Sequence, residues 1–461
     1  MLKKNLEIIT NPRNLLLAFL FVIGLVDNKF FSLGSSTRNV ILVSFLLVIA
    51  FLYIREQKGK SIKFLFKKFS KFPNIYITLY LLWGLVTVFF AVDKTTTLLY
   101  VLGGFVVFLV GFIMVKELYS PQLFKKSLYV ISLVSLPAVI YSSVRLIIQV
   151  INTQLVSTIA LVNINLTETL TIFNVPFLSS YYKHPNTFGI ILFFSIATTI
   201  TLLFLEKRKN FRIFLYFLLI LYTPFVFFTL SRSALLAVGA FTLLVSGPAL
   251  KRKIYFILVV AVIFVASFLL FIFNDWGLRV SSGTPAPFSQ RITTSQGDKL
   301  DLKDLGEEEI FEPKKISKRG TSNRIVIWTA SVDYIKQNPI FGAGFGSSVE
   351  AIRSYIPDLY ARYRGLTPHN TYLRILVESG VVGLGIYVTI VANLFILAIK
   401  KFKNLTAQEW LILSILASVL AYQFFETSFL LGTSFRSFYF LVFLSIGFYL
   451  LATKDLGKGG R

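Results

Sequence analysis

Residues 186–205 read NTFGIILFFSIATTITLLFL, twenty positions without a charged side chain. A helix of that length rises about 30 Å, which matches the hydrocarbon thickness of a lipid bilayer. The run stops at Glu206-Lys207-Arg208-Lys209, because charged side chains are expensive to place in hydrocarbon. This stretch therefore predicts a transmembrane helix with a basic segment after its C-terminal end.

Eleven further apolar runs follow the same pattern along the chain. They lie at 14–31, 39–54, 74–92, 97–115, 127–150, 212–230, 232–248, 254–273, 377–399, 407–427 and 437–453. The run at 39–54 is short, and the runs at 212–230 and 232–248 nearly touch, so eleven or thirteen spans remain alternatives to twelve. The sequence thus predicts an all-α polytopic membrane protein with about twelve transmembrane helices.

Composition and charge agree with a membrane protein and disfavour a soluble globular protein and a nucleic-acid-binding protein. The 461 residues are 55% hydrophobic and 15% charged, which is too apolar for a soluble globule. The 47 Lys and Arg against 22 Asp and Glu give a net charge of +25, which on a soluble protein would indicate nucleic acid. More than half of these cations fall in alternate loops and at both ends of the chain, as the positive-inside rule describes for cytoplasmic segments. We therefore expect cytoplasmic termini, contact with anionic membrane lipids and no nucleic-acid partner.

Three regions follow from this topology. Residues 1–273 carry the first nine predicted spans, residues 274–376 form a large, mostly helical outer loop, and residues 377–461 carry the last three spans. The acidic insertion at 298–312 has no calcium-loop spacing and is expected to be solvated. From Asn323 onward, apolar residues recur at the spacing of an amphipathic helix.

His369 is a candidate for acid–base chemistry. The chain has two histidines, His184 and His369, and no cysteine, which excludes a thiolate or multi-histidine metal site. His369 directly precedes Asn370 and Thr371, either of which can cap a helix that starts at the outer membrane boundary. A histidine there can take a proton from a hydroxyl group, so it is a candidate general base. A hydrogen-bonded interfacial histidine is the alternative interpretation.

Several basic residues are candidates for binding an anion. Arg232 stands at the outer start of a predicted span, where a guanidinium either binds an anion or reaches the lipid headgroups. Arg324 lies on the predicted outer helix, where the alternative is an ordinary exposed charge. Arg145 falls within the fifth run and is expensive wherever it faces. Arg374 and Glu378, four residues apart, predict an ion pair on a helix surface.

Glycines in Pro339–Gly346 predict a tight turn between two outer helices. They do not form a dinucleotide site, because Ser347 stands where the last glycine of that motif belongs and no βαβ unit surrounds it. The outer loops also contain no Asp-x-Asp pair, Walker motif or nucleophile elbow. These absences disfavour a metal-dependent nucleotide-sugar transferase, an ATPase and a serine hydrolase.

Several of these features occur together in one known family. Arg232 followed by Leu236, the segment Asn323–Trp328, the Pro339–Gly346 glycines and the run from His369 to Gly380 keep one order along the chain. With twelve spans and a large outer loop before the tenth, they resemble the O-antigen ligase and O-antigen polymerase superfamily. The resemblance covers about 184–390 by motif and the rest of the chain by topology.

The resemblance implies a GT-C-like glycosyltransferase that uses no metal or other cofactor and works at the outer, periplasmic face of the bacterial inner membrane. It would transfer a glycan from undecaprenyl diphosphate to an acceptor sugar hydroxyl. His369 would be the general base, and Arg232 and Arg324 would bind the diphosphate. Alternatives to Arg324 are Arg319, Arg353, Arg362 and Arg364. Supporting residues would be Asn370, Glu378, His184, Lys183 and Arg145.

Ligase and polymerase activities both fit these residues. The first hypothesis is a ligase, whose acceptor is lipid A-core or another surface glycan. A polymerase, whose acceptor is another carrier-linked repeat unit, is the close alternative. A flippase or other transporter is the third, although the sequence has no internal repeat and its candidate residues gather at the outer face.

Overall fold

The computed structural model of the chain consists of helices and their connecting turns throughout the part that it describes. The described residues are 11–26, 35–56, 72–144, 147, 185–229, 231–249, 313–357, 367–427 and 434–453. The helices in chain order are α1 (Pro12–Val26), α2 (Ser35–Glu56), α3 (Asn74–Thr87), α4 (Lys94–Glu117, with a π-helical segment at Leu109–Met114), α5 (Pro121–Val144), α6 (Pro185–Leu205), α7 (Lys209–Phe228), α8 (Arg232–Ala249), α9 (Pro313–Gln337), α10 (Ser348–Arg353), α11 (Thr371–Lys400), α12 (Ala407–Gln423) and α13 (Phe435–Thr453).

These helices confirm the all-α membrane class. Eleven of the predicted runs coincide with α1 to α8 and α11 to α13, and the run at 254–273 lies outside the described residues. Six described helices, α4 to α7, α11 and α13, are long and apolar enough to cross a membrane. The count of twelve spans and the GT-C-like architecture remain predictions.

Helix α6 forms the centre of the bundle. It packs against α5, α7 and α8, and 89% of its apolar window is buried, as expected of a helix that is hydrophobic on all sides. Gly189 allows the close approach of α8, because a Cβ at this position would lie 2.8 Å from the Cβ of Ala234. The buried hydroxyl groups of α6 are paired, as in the 2.8 Å hydrogen bond between Ser195 Oγ and Ser135 Oγ of α5.

Helix α11 presents an apolar face outward. Only 28% of its window is buried, and Val388, Ile396 and Ile399 are all exposed. Such a row of exposed aliphatic side chains is unfavourable in water and favourable against lipid tails. The face is therefore expected to contact the membrane.

A backbone break at Gly380 divides α11 into two segments. Gly380 has φ 65° and ψ −170°, a conformation that glycine adopts without a steric penalty. A Cβ at this position would collide with the carbonyl oxygen of Ile340. The helix begins at Thr371, ahead of the apolar run at 377–399, because the short upper segment precedes the break.

The loop between α9 and α10 fills this break. The backbone N–H of Ala343 donates to the carbonyl oxygen of Val377 at 2.7 Å, and that of Gly344 donates to Glu378 at 2.9 Å. The glycines at 342, 344 and 346 all have positive φ, which confirms the tight turn predicted for Pro339–Gly346. The outer structure is thereby fixed to the upper segment of α11.

Charged side chains at the opposite end of the bundle converge on Glu206. The carboxylate, 2% exposed, accepts from Lys125 Nζ at 2.8 Å and Arg208 Nε at 3.1 Å, and from the Tyr129 hydroxyl at 2.5 Å. The bond from Arg208 is the main cause of a lowered pKa of Glu206, which outweighs the effect of burial. This end carries the basic loops that the positive-inside rule assigns to the cytoplasm.

Candidate active site

The N-termini of α6, α8, α11 and α13 lie near one another at the end of the bundle remote from Glu206, and α12 ends beside them. The first turns of α6 and α13 are joined by a 2.7 Å hydrogen bond from Arg436 Nη2 to Thr187 Oγ1. The first turn of α11 is joined to the segment after α12 by Thr371 Oγ1, which donates to the carbonyl oxygen of Glu426 at 2.9 Å. Helix α8 begins beside them, where it touches α6 at Gly189. Because a helix N-terminus carries a partial positive charge, this end of the bundle favours anions.

The Glu426 side chain lies at the centre of this region. Its carboxylate is 5% exposed and lies 3.5 Å from Arg324 Nη2, 3.9 Å from Arg436 Nη1 and 3.6 Å from His369 Nδ1. Asn186 Nδ2 donates a hydrogen bond to the same carboxylate. One buried anion therefore connects side chains from α6, α9, α13 and the start of α11.

Electrostatics keep Glu426 ionised. Burial would raise the pKa of Glu426, but the adjacent His369 side chain and the charges of Arg436 and Arg324 together lower it below its ordinary value. The carboxylate is thus a fixed negative charge at neutral pH.

His369 occupies a constrained backbone position. Its φ of 47° is left-handed, and among the described residues it is the one non-glycine with a positive φ; such a conformation persists only where the surroundings enforce it. Trp328 Nε1 donates to the carbonyl oxygen of Pro368 at 2.6 Å, and Asn370 Nδ2 donates to that of Phe424 at 3.0 Å. These bonds fix the backbone on both sides of His369 while its side chain stays 34% exposed.

Asn370 also caps α11, as the sequence predicted. Its Oδ1 accepts from the backbone N–H of Leu373 at 2.9 Å, the usual arrangement at a helix N-terminus. The Asn370 side chain therefore caps the N-terminus of α11 and joins it to the end of α12.

Arg324 reaches the same group from the outer helix α9. Its Nη1 donates to the carbonyl oxygen of Phe425 at 3.3 Å, and its side chain is 35% exposed. Arg324 is therefore not an ordinary exposed charge, because it contacts Glu426 as well.

Arg232 is the first residue of α8 and is exposed. Within the described part of the chain it has no hydrogen-bonding or ionic partner. The neighbouring hydroxyl groups of Ser231 and Ser233 are buried and lie 3.2 Å apart. Arg232 thus lies at the same end of the bundle as Glu426, but its guanidinium does not contact the Glu426 carboxylate.

Residues 217–388 match a family model described as O-antigen ligase. This segment is similar to the O-antigen ligase superfamily. It contains Arg232, Arg324 and His369, so the predicted family is confirmed around three of the candidate residues. A comparison with curated proteins finds no match. The family supports a membrane glycosyltransferase of the ligase or polymerase kind.

Within the matched residues 217–388, Glu378 does not lie on a surface. It does pair with Arg374, at 2.7 Å from Nε to Oε1, but its side chain is fully buried and accepts a second hydrogen bond of 2.7 Å from Ser348 Oγ. The prediction of a surface ion pair was wrong, because α10 covers this face of α11. The contacts of Glu378 with Arg374 and α10 make it an anchor for the outer structure.

The remaining candidate residues make no described contact with Glu426. His184, Lys183, Arg145, Arg362 and Arg364 lie outside the described residues. The side chain of Arg319, on α9, is likewise outside the described part, and Arg353 is exposed at the end of α10.

Sequence reasoning missed Glu426 and Arg436. Both lie beyond the matched residues 217–388, and Glu426 is 240 positions from its partner Asn186. A carboxylate at the end of an otherwise apolar run was the available signal, because ionisable groups at membrane depth usually serve a function. The run at 407–427 was instead treated as one continuous span, whereas α12 ends at Gln423.

Proposed function

We propose that this protein is an O-antigen ligase-like glycosyltransferase that moves a glycan from undecaprenyl diphosphate to an acceptor sugar hydroxyl. The observation that carries the proposal is the meeting of Arg324, Arg436 and His369 around one buried carboxylate, Glu426, beside the N-termini of α6, α8, α11 and α13. Such a site combines groups that bind a diphosphate with a group that can accept a proton.

The diphosphate binds between Arg232 and Arg324 in this proposal. Guanidinium groups donate paired, charge-assisted hydrogen bonds to phosphate oxygens, and both side chains have exposed surface for this purpose. The N-termini of α6, α8, α11 and α13 add partial positive charge. These donors stabilise the negative charge that grows on the diphosphate as its bond to the sugar breaks, so the reaction needs no metal ion.

His369 acts as the general base. Its Nδ1 faces Glu426 Oε2, so Nε2 is the nitrogen available to the acceptor. The acceptor hydroxyl oxygen attacks the anomeric carbon, its proton passes to His369 Nε2, and the electron pair of the breaking carbon–oxygen bond stays on the diphosphate. Attack from the side opposite the leaving group inverts the anomeric centre. Glu426 then balances the positive imidazolium.

The site faces the outside of the bacterial inner membrane in this proposal, with both termini in the cytoplasm. Support comes from the separation between this end of the bundle and the basic loops near Glu206, Lys125 and Arg208. The carrier lipid lies along the apolar face of α11, beside the exposed rings of Phe424 and Phe425.

Transfer by purified protein in lipid nanodiscs tests the proposal. Carrier-linked repeat units are supplied with and without lipid A-core. A ligase gives product on lipid A-core and none without it, whereas longer carrier-linked chains in its absence would identify a polymerase and contradict the ligase reaction. His369→Ala should lose about 100-fold or more of the rate, the scale of general-base catalysis; full transfer by this variant would reject the assigned base.

A further inference from the structure

We propose that Glu426 couples donor binding to activation of the base: an anion that engages Arg324 releases the Glu426 carboxylate to hydrogen-bond the Nδ1 of His369. The inference rests on the proposed function and adds a regulatory step to it. Its consequence is an ordered reaction in which the donor binds before the acceptor hydroxyl can be deprotonated.

The two oxygens of Glu426 face different partners. Oε1 lies 3.5 Å from Arg324 Nη2 and accepts from Asn186 Nδ2. Oε2 lies 3.6 Å from His369 Nδ1, just beyond hydrogen-bond distance. A single carboxylate thus lies between the candidate diphosphate-binding arginine and the candidate base, with one oxygen facing each of them.

Arg324 is held loosely enough to change partner. Its contacts with Phe425 and Glu426 measure 3.3 and 3.5 Å, whereas a good charge-assisted hydrogen bond measures about 2.7 to 2.9 Å. Its side chain is also 35% exposed. A diphosphate, with two or more negative charges and several acceptor oxygens, competes effectively with one carboxylate for this guanidinium.

His369 gains a partner that it otherwise lacks. Its Nδ1 is buried without a hydrogen bond among the described residues, and a buried polar atom without a partner is unfavourable. The bonds at Pro368 and Asn370 hold the backbone on either side, so the proposed step is a movement of the carboxylate toward the imidazole. A shift of about 1 Å brings Oε2 into hydrogen-bond range.

This bond defines the chemistry of the imidazole. With Nδ1–H donating to Glu426, Nε2 carries the lone pair that faces the acceptor. The charged groups that surround His369 are Glu426 after α12, Arg324 from α9 and Arg436 from α13.

Nuclear magnetic resonance of the full-length protein in nanodiscs tests the coupling. The chain has two histidines, so ¹⁵N-histidine labelling gives few signals, and His369→Asn identifies the one from His369. Inorganic pyrophosphate is the probe. We expect a downfield N–H signal from a carboxylate-bonded Nδ1 when pyrophosphate is added. Arg324→Gln should give that signal without pyrophosphate, and Glu426→Gln should give it under neither condition.

Lys336→Gln is the matched control, because Lys336 is an exposed cation on the same helix and pairs with the exposed Asp333 at 3.3 Å. It should behave as the unmodified protein. Pyrophosphate binding seen by ³¹P line broadening, without the new His369 signal, would overturn the coupling and leave the transferase proposal intact. Failure of the unmodified protein to bind pyrophosphate would overturn both the diphosphate site and the coupling. The coupling would also be contradicted if the Arg324→Gln variant still required pyrophosphate to give the His369 signal.

Discussion

Trp328 is tied to the residue before the candidate base: its indole Nε1 donates to the carbonyl oxygen of Pro368 at 2.6 Å. Arg324 lies one turn earlier on the same helix, α9, and contacts Glu426. The outer helix therefore touches the site at two points, one beside His369 and one beside its carboxylate. Helix α9 lies within the predicted outer loop, so the position of the candidate base depends on structure outside the bundle.

Trp328→Phe should lower the rate of glycan transfer while donor KM stays nearly constant. The ring remains but the N–H is lost, so the Pro368 carbonyl is released and His369 can move from its productive position. A misplacement of about 1 Å reduces rates by about 100-fold; we expect a loss of about 10-fold or more in kcat. Trp410→Phe is the control, because its indole bonds to the Leu244 carbonyl at 2.7 Å away from the site. Equal effects of both changes would argue against a positioning role.

Arg232→Lys should raise donor KM by about 10-fold, the equivalent of about 1.4 kcal/mol, because lysine keeps the charge but not the fork. Steady-state kinetics at varied donor concentration measure this. Arg55→Lys, an exposed arginine in the last turn of α2, should change nothing. If Arg232→Lys used donor as well as the unmodified protein, a headgroup contact would explain Arg232 better than a diphosphate contact.

Gly380→Ala should destabilise the protein by at least about 2 kcal/mol, because positive φ is strained for alanine and its Cβ would collide with the Ile340 carbonyl. The loop at Pro339–Gly346 would lose its backbone hydrogen bonds to α11. Thermal unfolding in detergent measures the change. Gly385→Ala on the same helix has nothing within 4 Å of its Cβ and should be neutral or slightly stabilising. Similar losses in both variants would show that the break at Gly380 is not special.

Stability should decline in acid partly through Glu206. Its pKa is lowered in the folded state, chiefly by the bond from Arg208, so its contribution is complete above the ordinary glutamate pKa of about 4.3. The contribution declines as the pH falls from that value toward the lowered folded-state pKa. Thermal unfolding at pH 7 and pH 4 should therefore show a smaller difference in Glu206→Gln than in the unmodified protein. Glu56→Gln, at the exposed end of α2, should keep the full difference. An unaltered pH dependence in Glu206→Gln would contradict this assignment.

Local patterns in the sequence predicted much of what the structure contains. Uninterrupted apolar stretches identified eleven of the described helices, and the polar residue after His369 identified the cap that Asn370 provides. Arg324 and His369 were selected separately, and both contact Glu426. Hydropathy and capping act over a few residues, so they can be read along the chain.

Long-range contacts explain what the sequence did not reveal. Glu426 acquires its importance from partners on α6, α9, α11 and α13, and no spacing along the chain indicates that these meet. The burial of Glu378 depends on Ser348 of α10, and the break at Gly380 depends on the loop that enters it. In each case the deciding neighbour is distant in sequence, so periodicity carries no information about it.

The break in α11 has a mechanical consequence for an enzyme that works in a fluid bilayer. The continuous helix from Val381 to Lys400 rises about 30 Å, close to the hydrocarbon thickness of a membrane. The upper segment, Thr371–Ser379, is fastened to the outer loop and to the end of α12. The lower helix is joined to the same loop at its first residue, where the Val381 N–H donates to the Pro339 carbonyl oxygen. When the bilayer thins or thickens, we expect the helix to tilt about this point, with little change in the spacing between His369 and Glu426.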